Sequence, residues 1–102
     1  MKVKKQKEIK RDEFRRSKRT QHPTYIYAKV GNEFKYIGLT HSEVTEGIKN
    51  IKLDKNPNPN DKRNAFIKPK VEKAKTNNFK KKEKDWKLSK SDKEKINKII
   101  KK

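Results

Sequence analysis

Positive charge in this chain is segregated, and the segregation decides where a core can form. Residues 1–20 hold 10 basic and 3 acidic groups, residues 21–60 hold 5 and 4, and residues 61–102 hold 17 and 6. The net charge is +19 on 102 residues, yet the middle segment is almost neutral. The excess is confined to two flanks, and a compact domain with that bias repels itself. With 27% apolar residues, the chain can build one domain around a small core. A cationic surplus parked outside a neutral centre suits a polyanionic partner, because each neutralised phosphate releases condensed counterions.

Several function classes fall away at once. Cysteine is absent, which removes disulfides and thiolate zinc sites. No apolar run approaches the roughly 20 residues of a membrane span, and the charged start Met1–Lys7 has no apolar stretch behind it, unlike a secretory signal. The expectation is a cytoplasmic protein without membrane attachment. Neither a Gly-rich phosphate loop, a metal-ligand set nor a serine-centred hydrolase motif is present, so no cofactor and no metal is expected.

The clearest structured element lies in the neutral middle. Thr24–Val30 and Glu33–Leu39 are β-rich runs separated by Gly31-Asn32, a pair that suits a tight hairpin turn of the II′ kind. In that register Ile26 faces Ile37 and Tyr27 faces Tyr36. One sheet face is then aliphatic, the other aromatic with Tyr25, Phe34 and Lys29. Two readings of the aromatic face stand: a platform on which bases stack, or a second buried face covered by a helix.

The flanking segments are read from turn chemistry and helical spacing. Residues 1–20 lack a continuous apolar stripe and predict a basic arm, flexible or helical. Ser42–Gly47 predicts one capped helical turn with Ser42 as N-cap. Ile48–Leu53 predicts an irregular strand, and Asp54–Asp61, with two Asn-Pro steps, a loop. Asn64–Lys68 predicts a strand ending near Pro69. Phe79 is expected to anchor the basic 70–85 stretch. Ser91-Asp92-Lys93-Glu94 reads as a capping box opening a helix over 91–101, whose Ile96, Ile99 and Ile100 must dock on the sheet. The fold class is therefore α+β: a twisted antiparallel sheet of three or four strands, a C-terminal helix across one face, and residues 21–102 as a single domain behind the arm.

Nucleic acid is the expected partner, RNA ahead of DNA, since no recognition-helix pattern supports groove reading and sheet aromatics suit unstacked bases. Arg15, Arg16, Arg19, Lys29, Lys35, Lys80, Lys81 and Lys82 would meet phosphates, and Tyr27 and Tyr36 would stack. A second reading is a metal-independent endoribonuclease. Extending the hairpin register sets His22 across from His41, and two imidazoles could serve as general base and acid, with Arg63 stabilising phosphate charge. Against it, Pro23 donates no ladder bond and is expected to end the pairing before His22. The third reading is a protein that binds an acidic partner.

The string Tyr36–Ser42, then Asn56–Asp61, Phe79 and Trp86 ahead of a lysine-rich terminal helix, resembles a group of small basic proteins of low-GC Gram-positive bacteria and their mobile elements. The resemblance spans residues 22–100. More distantly, the order of elements is similar to RelE-like and barnase/EndoU/colicin-type small ribonucleases. That likeness implies a toxin-like nuclease held by an antitoxin, with His41, Arg63 and the sheet tyrosines as the candidate site.

Overall fold

The computed structural model describes residues 7–101 and is α+β, an antiparallel sheet with a C-terminal helix. In chain order the elements are β1 (Glu8–Arg16), β2 (Pro23–Val30), β3 (Glu33–Thr40), β4 (Val44–Thr45), β5 (Ile48–Lys49), β6 (Ile51–Lys52), β7 (Phe66–Ile67), β8 (Glu72–Lys75), a 3₁₀ turn at Thr76–Asn78 and α1 (Lys90–Ile100). The main sheet has six strands rather than three or four, because β1 and β8 were not legible as strands. Strands β1, β2 and β3 form a meander, and the far edge of β3 pairs with β8 along Glu33–Tyr36 and with β7 at Leu39–Thr40. Strand β6 completes the sheet on β7.

The largest departure from expectation is β1. The segment read as a flexible or helical arm is a nine-residue strand over Glu8–Arg16, while residues 1–6 of that arm lie outside the described residues. Hydrophobic alternation could not reveal it, since one of its faces is built from charge. Glu13 is buried and accepts from Arg15 Nε at 2.6 Å and Arg11 Nη1 at 3.2 Å. The neighbouring Phe14 points the other way, into the core beside Tyr25.

The hairpin turn is as expected, with Gly31 at φ 59° as its left-handed first residue. Its register holds from Val30↔Glu33 to Ala28↔Lys35 and then slips at Tyr27, so that Ile26 faces Tyr36 and Tyr25 faces Ile37. Strand β1 carries its own irregularity at the same level, between Lys10 and Glu13. Bulges stacked across two adjacent pairings sharpen the local twist. They also abolish the expected aliphatic and aromatic faces. Tyr25, Ile37 and Leu39 share the helix side with Phe14, Leu53, Ile67 and Ile96. Ile26, Phe34 and Phe79 form the opposite cluster, against which Tyr36 and Ala74 pack.

Phe79 is the anchor that the sequence suggested, its ring edge-on to Phe34 at 5.4 Å and to Tyr36 at 5.2 Å. It belongs to a segment that leaves β8 on one edge of the meander and returns along the other. Lys18 N donates to Asn78 O (2.8 Å), Lys80 N to Arg16 O (2.8 Å) and Glu83 N to Phe14 O (2.8 Å). The sheet therefore curls around the Ile26–Phe34–Phe79 cluster, and one continuous segment closes both sides.

Two local readings change. Ser42–Gly47 is no helical turn: β4 and β5 form a small hairpin whose turn residues Glu46 and Gly47 take φ 51° and 79°, the left-handed pair of a tight β-turn. Helix α1 opens one turn's fraction earlier than expected, with Ser89 accepting from Asp92 N at 3.2 Å. Asp92, fully buried, accepts instead from the backbone of Asp54 (2.7 Å) and Lys55 (3.1 Å) and pairs with Lys95 at 3.3 Å. The Asp54–Asp61 loop is confirmed as a loop. Asn56 and Asn58 side chains accept from the amides two residues on, at 3.0 and 2.9 Å, the local bonding expected of Asx turns.

Replacing the fully buried Ile96 by alanine leaves a cavity between helix and sheet and is expected to cost about 2–5 kcal/mol in urea denaturation. Deleting residues 1–20 is expected to abolish the cooperative unfolding transition, because it removes a strand paired with β2 and, over Phe14–Lys18, with the returning segment as well. A truncated chain that unfolds as cooperatively as the intact one would contradict this.

Candidate nucleic-acid interface

Charge surplus becomes geometry at the β1–β2 connection. Ser17–His22 forms a compact turn in which Gln21, at φ 64°, donates its backbone N–H to Ser17 O at 2.9 Å. A non-glycine residue in that region costs roughly 1 kcal/mol or more and persists only where the surroundings enforce it. Here they do. The Gln21 amide donates to Lys18 O (2.9 Å), its carbonyl accepts from Arg16 Nη1 (3.1 Å), and its side-chain oxygen accepts from Lys80 Nζ. The turn that carries Arg16, Lys18 and Arg19 is thus fixed against the Asn78–Lys82 segment.

The expected phosphate-binding residues divide by what else they touch. Arg19, Lys81 and Lys82 are exposed. Lys80 is exposed beside Gln21, and Arg16 lies over the Trp86 ring, 5.6 Å from its centroid. Arg15 is spent on structure: it pairs with Glu13, donates to Lys80 O at 3.1 Å and covers Phe34 at 5.0 Å. Lys35 is tied to Glu8 at 2.8 Å, and Lys29, opposite Phe34 in the ladder, is half-buried.

The tyrosines do not form one platform. Tyr27 packs on the helix-side core while Tyr36 packs on the other cluster, a separation produced by the bulge at Tyr27. Burial holds both phenols above their usual ionisation range. Burial also raises Tyr25, assisted by its hydrogen bond to Asp12 at 2.9 Å.

The two histidines are not in direct cross-strand register either. Strand β2 begins at Pro23, and the slipped register aligns Thr24 with Gly38, so its extension would set His22 opposite Thr40, one residue short of His41. The His22 backbone is engaged in the turn, accepting from Ser17 N at 3.0 Å and donating to Thr20 Oγ1 at 3.2 Å. His41 instead meets Asp61, its Nε2 donating to Oδ2 at 3.0 Å. Arg63 holds the same carboxylate through Nε and Nη2, both at 3.0 Å. Together with Arg16 and Trp86 these residues border a cleft of about 60 Å³. Sequence reading thus placed His41 and Arg63 in one site but missed Asp61, which joins them. The signal available was the Asp61-Lys-Arg63 spacing, which closes an Asx turn with Arg63 N bonded to Asp61 Oδ1 at 3.0 Å.

No helix among the described residues is long and apolar enough to cross a membrane. Comparison with known protein families, curated proteins and solved structures finds no match for the chain.

Arg63 first, then His41, holds the Asp61 carboxyl well below the usual carboxylate range, and the Ser91 hydroxyl and Lys95 lower Asp54 likewise. A carboxyl depressed in the folded state contributes stability that is complete above its unfolded pKa of about 3.9 and is lost as the folded value is approached from above. The urea midpoint is therefore expected to stay level from pH 7 to 5 and to drop below about pH 4. Asp61→Asn should start from a lower plateau and decline less steeply. An acid profile unchanged by that substitution would show that the cluster contributes nothing to folding.

Proposed function

We propose that this protein binds nucleic acid, single-stranded RNA ahead of duplex DNA, through a basic ridge made by the β1–β2 turn and the Asn78–Lys82 segment. One observation carries the reading: the two cationic flanks, distant in sequence, are hydrogen-bonded side by side. Of the 28 lysines and arginines within residues 7–101, seven (Arg11, Arg15, Lys35, Arg63, Lys70, Lys93 and Lys95) have a carboxylate oxygen within 4.0 Å. Arg16, Arg19, Lys80, Lys81 and Lys82 have no carboxylate partner among the described residues, and cations of that kind along one ridge match the evenly spaced charges of a phosphate backbone. The preference for unpaired strands rests on the sheet surface beside the ridge, which offers the half-buried Tyr36 ring but no helix shaped for a groove. Arg16, Arg19, Lys80, Lys81 and Lys82 are the phosphate ligands of this reading.

Fluorescence anisotropy with a labelled single-stranded oligoribonucleotide tests it. The logarithm of the binding constant should fall linearly with log salt, and the Lys80/Lys81/Lys82→Gln triple variant should reduce the slope by about 2, given roughly 0.7 per single-strand phosphate. Absence of binding to RNA and DNA at about 50 mM salt would reject the reading. Retention of one acidic protein under those conditions would replace it with the protein-partner alternative.

The His41–Asp61 contact favours a second reading, cleavage of RNA through its 2′-hydroxyl. A carboxylate that orients an imidazole beside arginines is a workable general-base arrangement. In metal-free buffer, cleavage lost in His41→Ala and retained in His22→Ala would support it, and RNA that is retarded but intact would reject it.

A further inference from the structure

Beside the ridge, and sharing Arg19 with it, lies a groove of about 430 Å³. It is bordered by Ser17, Lys18 and Arg19 from the β1–β2 turn, Tyr36 from β3, and Asn78 and Phe79 from the returning segment. Its volume falls in the range of pockets that take small organic ligands, about 300–1,000 Å³. Two properties narrow the occupant. The wall is aromatic, and the Tyr36 ring is fixed by Phe79 at 75° and 5.2 Å, so little side-chain freedom remains to be lost when something stacks on it. The rim is cationic, with Lys18 and Arg19 exposed. Arg19 also acts on the Tyr36 phenol, opposing the effects of burial and Glu72 on its ionisation. The charge and the ring therefore address one small volume.

We propose that this groove holds one unstacked base of a bound single strand, with Tyr36 beneath the base, Asn78 at its polar edge, and Lys18 and Arg19 on the adjoining phosphates. The assignment rests on the nucleic-acid reading and deepens it: the ridge supplies charge without regard to sequence, and the groove supplies contact with a base. A flat aromatic ligand that carries anions meets both the wall and the rim. An inorganic polyanion meets the rim alone.

The test compares three probes on the full chain: a single-stranded oligoribonucleotide, an abasic strand of equal length, and inorganic polyphosphate. Base–aromatic stacking is worth about 1–3 kcal/mol per base. Wild type should therefore bind the base-bearing strand at least about fivefold more tightly than the abasic one. Tyr36→Leu should weaken RNA binding about tenfold while leaving abasic affinity and the salt slope unchanged. Asn78→Ala, on an exposed side chain with its backbone bonds kept, should weaken RNA binding severalfold and leave polyphosphate unaffected, which keeps the test valid if Tyr36→Leu destabilises the fold. Equal wild-type affinity for RNA and abasic strand overturns the groove assignment while leaving the ridge in place, as do variants that weaken all three probes alike. Failure of wild type to bind any of the three overturns the nucleic-acid reading itself, and the groove assignment with it.

Discussion

Three backbone hydrogen bonds between Phe14–Lys18 and Asn78–Glu83 hold together two segments that their charges push apart. Two like charges about 10 Å apart in water repel by roughly 0.4 kcal/mol, and salt reduces this further. A backbone hydrogen bond contributes about 1 kcal/mol net, and Phe79 adds a buried aromatic ring. Pairing therefore wins, provided that the lysine and arginine heads remain in water. The fold meets that condition by turning backbone and apolar groups inward along these segments while Lys80, Lys81 and Lys82 stay outside.

With so few apolar residues, the core cannot be a single thick layer. It is divided between the two faces of one short sheet, and each face has its own cover: α1 with Ile96 on one side, the returning segment with Phe79 on the other. The bulges at Tyr27 and at Lys10–Glu13 make this possible by curling the meander. They also determine the surface. Without the slip, Tyr27 and Tyr36 would stand together on one face; with it, each belongs to a different layer, and Tyr36 alone borders the basic ridge.

Three carboxylates act as fasteners rather than as surface charge. Asp92 ties the start of α1 to the Asp54–Lys55 backbone, Glu13 gathers Arg11 and Arg15, and Asp61 binds His41 to Arg63. Each neutralises cations where the chain must be compact. The remaining cations are left for the solvent face, which ties the local economy of acids to the capacity for binding a polyanion.

The amino-acid sequence by itself determined the parts governed by neighbouring residues: the hairpin and its glycine turn, the Asn-Pro loop, the isoleucine stripe of α1 and the anchoring role of Phe79. Local steric and hydrogen-bonding preferences suffice for these. It also placed His41 and Arg63 in one candidate site, but not Asp61 between them. Only the tertiary structure decided that Glu8–Arg16 is a strand, that the register slips at Tyr27, and that the two basic flanks lie side by side. Those outcomes depend on partners far along the chain. A strand with one face held by ion pairs carries no apolar period, and a bulge is a property of the pairing between two strands that neither strand's residues announce alone.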